Sequence, residues 1–132
     1  GMGMYAVCSE VVGGNRIGRT LDFPTINQQF GEKQLVPKRG VYSTVTLIDN
    51  KTYNSITNIG VKPTVEKDIK PLAETHILDF SGNLYGKEIE VRFNKFIRDE
   101  KKFSSLDELK IQIKKDIEYV RKQSEMSELH RL

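Results

Sequence analysis

Three stretches of this chain alternate apolar and polar residues with a period of two: residues 41–48 (VYSTVTLI), 73–80 (AETHILDF) and 89–97 (IEVRFNKFI). They are rich in β-branched and aromatic side chains, the pattern of half-buried strands. Residues 4–12 (MYAVCSEVV) and 53–60 (YNSITNIG) are weaker strand candidates, the first running into Gly13-Gly14. Asp49-Asn50 and the segment around Ser81-Gly82-Asn83 carry the side chains of hairpin turns, and short connections favour antiparallel neighbours. A helical period enters only after residue 104, where Leu106, Leu109, Ile113, Ile117 and Val120 recur three or four apart behind Ser105-x-x-Glu108, a capping box. Five or six short strands followed by one helix predict an antiparallel β-barrel or sandwich with a C-terminal helix packed on it. A doubly wound α/β fold needs helices between successive strands, and no helical period precedes residue 104.

At 132 residues the chain fits a single domain, long enough to bury roughly two-thirds of its unfolded surface without staples. The helix is expected over 104–122, with residues 123–132 fraying once the apolar stripe ends. The 21 basic and 18 acidic residues are well mixed, so no basic arm points to nucleic acid or to an anionic membrane. The one cysteine, Cys8, forms no internal disulfide, and neither a secretory core nor an apolar span of about 20 residues is present. The expectation is a soluble, cytoplasmic protein with no nucleic-acid or membrane partner. Gly1 before Met2 reads as a tag scar over residues 1–3, placed on a piece of a longer natural chain, and a gene starting at Met2 or Met4 would overturn that.

Gly13-x-x-x-x-Gly18-Arg19-Thr20 lies one residue from the phosphate-binding pattern GxxxxGK[ST]. Such a loop must open a helix, whose N-terminal amides hold phosphate. Here Pro24 pushes Phe23 toward an extended conformation and breaks any helix begun at Gly18. What remains is local: Gly13, Gly14 and Gly18 permit close backbone approach, and Arg16 and Arg19 can neutralise a polyanion. The segment alone fits a solvated hairpin loop as well. Beyond Pro24, Thr25 and Asn27 stand at i and i+2, so an extended chain points both neutral oxygens to one side. That suits a hard cation such as magnesium, which keeps most of its water and shares a few protein oxygens with phosphates. A Pro-Thr turn whose Asn bonds the backbone is the structural alternative.

The run Gly14-x-x-x-Gly18-Arg19-x-Leu21-x-Phe23-Pro24-Thr25-x-Asn27 resembles the riboflavin kinase family, in particular the kinase module of bacterial bifunctional riboflavin kinase/FMN adenylyltransferases. Residues 38–46 (KRGVYSTVT), 57–65 (TNIGVKPTV), 74–80 (ETHILDF), 84–93 (LYGKEIEVRF) and 97–103 (IRDEKKF) follow in the family's order, covering about residues 5–121. The resemblance implies a mainly β fold, a six-stranded antiparallel Greek-key-like barrel with a C-terminal helix. It also implies transfer of phosphate from ATP to riboflavin, giving FMN and ADP, within flavin cofactor biosynthesis. By analogy, the Gly14 to Arg19 loop, with Arg16, Gly18 and Pro24, closes over ADP; Thr25 and Asn27 bind Mg2+ and the nucleotide phosphates; and Glu74 is the catalytic base. Arg98 and Phe103 are candidates for the flavin slot, Phe103 alternatively being a hydrophobic staple at the helix entry. The resemblance further implies an FMN adenylyltransferase domain covalently preceding this one, absent from these residues, and a fragment that is monomeric and makes no FAD.

Taken from its residues alone, Glu74 alternates with His76, Leu78 and Phe80, so its carboxylate shares a side with apolar groups that would raise its basicity. An exposed strand-end glutamate is the plain alternative. His76 reads as a satisfied structural histidine, and "ETH" has no second nitrogen or sulfur donor at zinc spacing. Two positions depart from the family: Asp22 where glycine is common, and Asp99 where proline is common. A non-catalytic barrel binding flavin or single-stranded nucleic acid is the competing function, and the interleaved aromatics and basic groove of such barrels are not evident.

Overall fold

Each alternating stretch forms a strand in the computed structural model, which describes residues 5–12, 25–31, 34–63, 69–80 and 82–131. The strands are β1 (Ala6–Val12), β2 (Thr25–Gln29), β3 (Gly40–Ile48), β4 (Lys51–Pro63), β5 (Ile69–Ile77) and β6 (Glu88–Arg98), followed by helix α1 (Leu106–Arg131). By its backbone contacts the chain divides into two compact units, residues 1–100 and 101–132.

In the first unit every pairing is antiparallel, and the order β1-β2-β5-β4-β3-β6 closes on itself as a barrel. Closure leaves no strand edge for another chain to pair with. Strands β3, β4 and β5 are successive neighbours, and β6 returns to lie beside β3, which is the Greek-key order. The β3–β4 hairpin turns on Asp49 (φ 50°) and Asn50 (φ 69°), between the paired Ile48 and Lys51. Two positive φ values in a two-residue loop match the right-handed twist of the strands, and Asp and Asn tolerate them.

The expected hairpin at Ser81-Gly82-Asn83 does not form. Both sides of β5 are taken, by β2 and β4, so the chain from Leu78 to Lys87 crosses to the far side of the barrel, where β6 pairs with β1 and β3. Asp79 (φ 60°) starts this crossing, Asn83 Oδ1 accepts from the Tyr85 amide at 3.0 Å, and the Gly86 amide donates to the Val11 carbonyl at 3.0 Å. Strand β5 therefore ends at Ile77 rather than Phe80. Phe80 leaves the face of Glu74 and packs with the barrel core, edge-on to Tyr53 at 5.3 Å.

The core holds Val7, Val11, Ile26, Ile59, Ile77 and Val91, centred on Tyr42 and Phe93, whose rings meet edge to face at 5.1 Å. The Tyr42 hydroxyl donates to the Lys38 carbonyl at 2.5 Å, so its polar end is satisfied. On the same inward face, five hydroxyls form a ladder across β3, β4 and β5. Thr46 Oγ1 donates to Ser55 Oγ at 2.8 Å; Thr44 joins Ser55 at 2.6 Å and Thr57 at 3.0 Å; Thr57 joins Thr75 at 2.8 Å. At Gly40 (φ 147°) an added Cβ would stand 2.5 Å from Phe96 Cε2 and 2.7 Å from the Arg98 carbonyl. Only glycine lets β3 start this close to β6.

In the second unit, α1 runs to Arg131, beyond the expected end at residue 122. Its stripe of apolar residues stops near Val120, but residues 121–131 contain neither Gly nor Pro and are mostly good helix formers. The expected cap forms in part: Ser105 Oγ accepts from the Glu108 amide at 3.2 Å, while Glu108 Oε2 accepts at 3.1 Å from the amide of Ser104, one residue earlier than a capping box requires. Hydrogen bonds from the Ser104 hydroxyl and amide lower the Glu108 carboxyl from its usual pKa of 4.5.

Candidate functional site

Residues on the opposite, outward face of β2, β5 and β4 form two rows. Thr25 pairs with His76 and His76 with Ile56; Asn27 pairs with Glu74 and Glu74 with Asn58. Register partners share a face and neighbouring strands lie about 4.8 Å apart, so Asn27 and Asn58 flank Glu74 on either side. The second row continues through Val41 of β3 to Arg98 at the end of β6.

This patch is outward-facing yet buried. Asn27 is 4% exposed and His76 7%, while the Glu74 side chain keeps 28% of its surface. Burial pushes the Glu74 carboxyl up from its usual pKa of 4.5, because a carboxylate loses more hydration than the neutral acid does. It is a stronger base than a solvated glutamate.

Two amide oxygens beside it, Asn27 Oδ1 and Asn58 Oδ1, are buried and have no hydrogen-bond partner among the described residues. An unpartnered buried acceptor costs about 1–3 kcal/mol unless a donor or a cation reaches it; a third such atom, Gln28 Oε1, lies inside the barrel. Thr25 Oγ1 lies 3.1 Å from His76 Nδ1, and His76 Nε2 lies 3.6 Å from Glu74 Oε1. Among the described residues no three His, Cys, Asp or Glu side chains gather as a metal cluster. The oxygens available to a cation are neutral ones, Asn27 Oδ1 and Thr25 Oγ1. They fit magnesium, which needs few protein ligands when phosphates and water complete its octahedron.

The structure thus brings Thr25, Asn27 and Glu74 together with His76, which alternation already put on the face of Glu74, and adds Asn58. Asn58 lies in a weak strand candidate, and only its register exposes its place beside Glu74. Of the flavin candidates, Arg98 closes the same row three strands from Glu74, about 14 Å at the usual strand spacing. Its Nη1 donates to the Asp99 carbonyl at 3.1 Å. Phe103 belongs to the second unit. Gly14, Arg16, Gly18, Arg19, Pro24 and the departure at Asp22 lie outside the described residues. The departure at Asp99 makes an exposed ion pair with Lys38 at 3.4 Å. No helix among the described residues is long and apolar enough to cross a membrane.

Comparison with known proteins points the same way. A family model described as flavokinase, riboflavin kinase, matches residues 2–124. A bifunctional riboflavin kinase/FMN adenylyltransferase of Haemophilus influenzae is 43% identical over 115 residues, 86% of this chain and 37% of the relative. Its counterpart in Escherichia coli K12 is 42% identical over 85% of this chain and 36% of the relative. The chain thus spans a little over a third of the length of these relatives. A Bacillus subtilis protein named RNA-binding riboflavin kinase RibR is 37% identical over 93% of this chain and 53% of that protein. Among solved structures, one described as a macrolide-efflux protein from Streptococcus pneumoniae superposes with a TM-score of 0.79 at 33% identity, over 88% of this chain and 38% of that one.

Proposed function

Because the chain belongs to the riboflavin kinase family, we propose that it transfers the γ-phosphoryl group of ATP to the terminal ribityl hydroxyl of riboflavin, giving FMN and ADP. The observation that carries this reading is the placement of the Glu74 carboxyl, made more basic by burial, between two buried amide oxygens without partners.

Phosphoryl transfer asks a protein for position and charge more than for covalent chemistry. Glu74 accepts the hydroxyl proton as the oxygen–phosphorus bond forms and the bond to the β-phosphate oxygen breaks, the electron pair leaving with ADP. Thr25 and Asn27 hold the metal and the nucleotide phosphates. When bound, Mg2+ supplies the charge that the phosphate oxygens need neutralised. Gly14, Arg16, Gly18, Arg19 and Pro24 are assigned to the nucleotide, and Arg98 to the flavin. The reading assigns no adenylyl transfer to these 132 residues.

Incubation with riboflavin, ATP and Mg2+ should yield FMN and ADP by chromatography, with no FAD. Glu74→Ala should lower turnover by about 10²–10⁴-fold, the usual worth of a general base. A chain that makes no FMN defeats the proposal, and a fully active Glu74→Ala removes that residue from the role of base.

A further inference from the structure

Asn58 stands beside Glu74, and nothing in the proposed chemistry uses it. It is the register partner of Glu74 on β4, on the side away from Asn27, and its buried Oδ1 has no hydrogen-bond partner among the described residues. Gln28 Oε1 shares that condition inside the barrel, where Gln28 is fully buried and closed off from solvent. Asn58 differs in its place: it is half-buried on the outer face, next to a Glu74 side chain that keeps 28% of its surface. A donor brought in from solvent can reach it.

Two considerations say which donor. Two strand spacings, about 10 Å, separate the backbones of Asn58 and Asn27, with Glu74 between them. Two oxygens on one magnesium stand at most about 4 Å apart, so the cation assigned to Asn27 is not the partner of Asn58. In-line transfer then supplies a direction: the attacking hydroxyl oxygen faces phosphorus on one side and carries its carbon chain on the other. With the phosphates at Thr25 and Asn27 and the hydroxyl at Glu74, that chain runs over Asn58 toward β3 and Arg98. The ribityl chain carries secondary hydroxyls there, each able to donate.

We propose that Asn58 is a substrate-binding residue that selects a polyol chain: its Oδ1 accepts a hydrogen bond from a secondary ribityl hydroxyl while the terminal hydroxyl lies at Glu74. The inference rests on the kinase reading above. A site that hydrogen-bonds a substrate hydroxyl rejects the analogue lacking it, because the buried acceptor is then left unpaired. An asparagine that only shapes the strand would treat the two alike.

The probes are riboflavin and the same ring carrying a hydroxypentyl chain, which keeps the terminal hydroxyl and lacks the secondary ones. Asn58→Leu should lower riboflavin affinity about tenfold, read by flavin fluorescence with MgADP present, and leave the analogue no weaker. Mn2+·ADP affinity, read by electron paramagnetic resonance, should hold. Equal loss for both flavins, no loss for riboflavin, or a matching loss of Mn2+·ADP affinity overturns the inference. Where the analogue binds too weakly to measure, riboflavin loss with Mn2+·ADP affinity intact supports the inference, and loss of both sinks it. Should the variant fail to fold, the unmodified protein decides: the Asn58 side-chain amide signals in proton–nitrogen spectra should move with saturating riboflavin. Signals that stay put, or that move alike with the analogue, count against the inference. A chain that makes no FMN takes the kinase reading and this inference down together; one that makes FMN while these arms disagree loses the inference alone.

Discussion

The inside of the barrel and the outer face of β2, β5 and β4 are both buried and both rich in polar side chains, but they differ in how those groups are satisfied. Within the barrel, Thr46, Ser55, Thr44, Thr57 and Thr75 bond to one another in an unbroken ladder. Gln28, also inward and fully buried, gives its amide hydrogens to the Ser9 and Ile89 carbonyls at 3.0 and 2.6 Å, while its Oε1 has no partner among the described residues. On the outer face, Asn27 and Asn58 keep acceptors without partners and Glu74 keeps a carboxyl whose charge burial disfavours. A satisfied network stabilises a unique fold, whereas an unsatisfied one costs stability and is retained where a ligand completes it. Gln28 Oε1 apart, the two faces differ in this respect without reference to any relative.

Substitutions on either side of that contrast should have opposite signatures. The largest effect belongs to Asn27→Leu, which keeps the size of the side chain and removes the orphaned oxygen. Mn2+·ADP affinity should fall by about tenfold or more, with Tm unchanged or raised, as measured by calorimetry and thermal melts. A loss of stability there would mean that Asn27 is scaffold. Thr57→Val, at the centre of the ladder, should do the reverse: it strips partners from Thr44 and Thr75, costs about 1–3 kcal/mol in denaturant unfolding and leaves nucleotide affinity of the folded protein intact.

A smaller effect is expected for Glu74→Gln. A carboxyl whose folded pKa is raised above its usual 4.5 binds more protons folded than unfolded across the interval between the two values. The folded state therefore loses stability as pH rises through that interval. Glutamine has no charge to bury, so the variant should melt slightly higher than the parent at neutral pH, with the gain vanishing below pH 4.5. A gain that persists in acid would assign the effect to packing. Smallest of all, Asp99→Ala removes an exposed ion pair with Lys38 and should leave Tm unresolved from the parent, since such pairs contribute little.

Much of the scaffold was legible along the chain, and the reasons it was or was not are local. Strand β6 announces itself because Ile89, Val91 and Phe93 meet the core and Glu90, Arg92 and Asn94 do not, so the alternation survives in the letters; in β3 the inward face carries Thr44 and Thr46, and the β-branched composition is the signal. Strand β2 does not: Thr25-Ile26-Asn27-Gln28-Gln29 has a single large apolar residue, because one face serves the site and the inner face is shared by Ile26 and the bonded Gln28. The loop from Leu78 to Lys87 carries turn residues whether it closes a hairpin or crosses the barrel, which is why the reading of a hairpin there failed. The cap at Ser105 was readable because its signal, Ser105-x-x-Glu108, lies within four residues. The end of α1 was not, since the apolar stripe reports what the helix packs and not where its backbone stops.

The sequence by itself determined the class of fold, since alternation with β-branched residues makes strands and the late helical period makes one helix, and it marked Thr25, Asn27 and Glu74 as candidates by the oxygens they carry. Only the tertiary structure decided that residues 25–27, 58 and 74–76 stand side by side and that His76 lies between Thr25 and Glu74. Strand order and register arise from pairings between residues far apart in sequence, and burial is a property of what those pairings enclose. Neither is written in the local pattern of a strand.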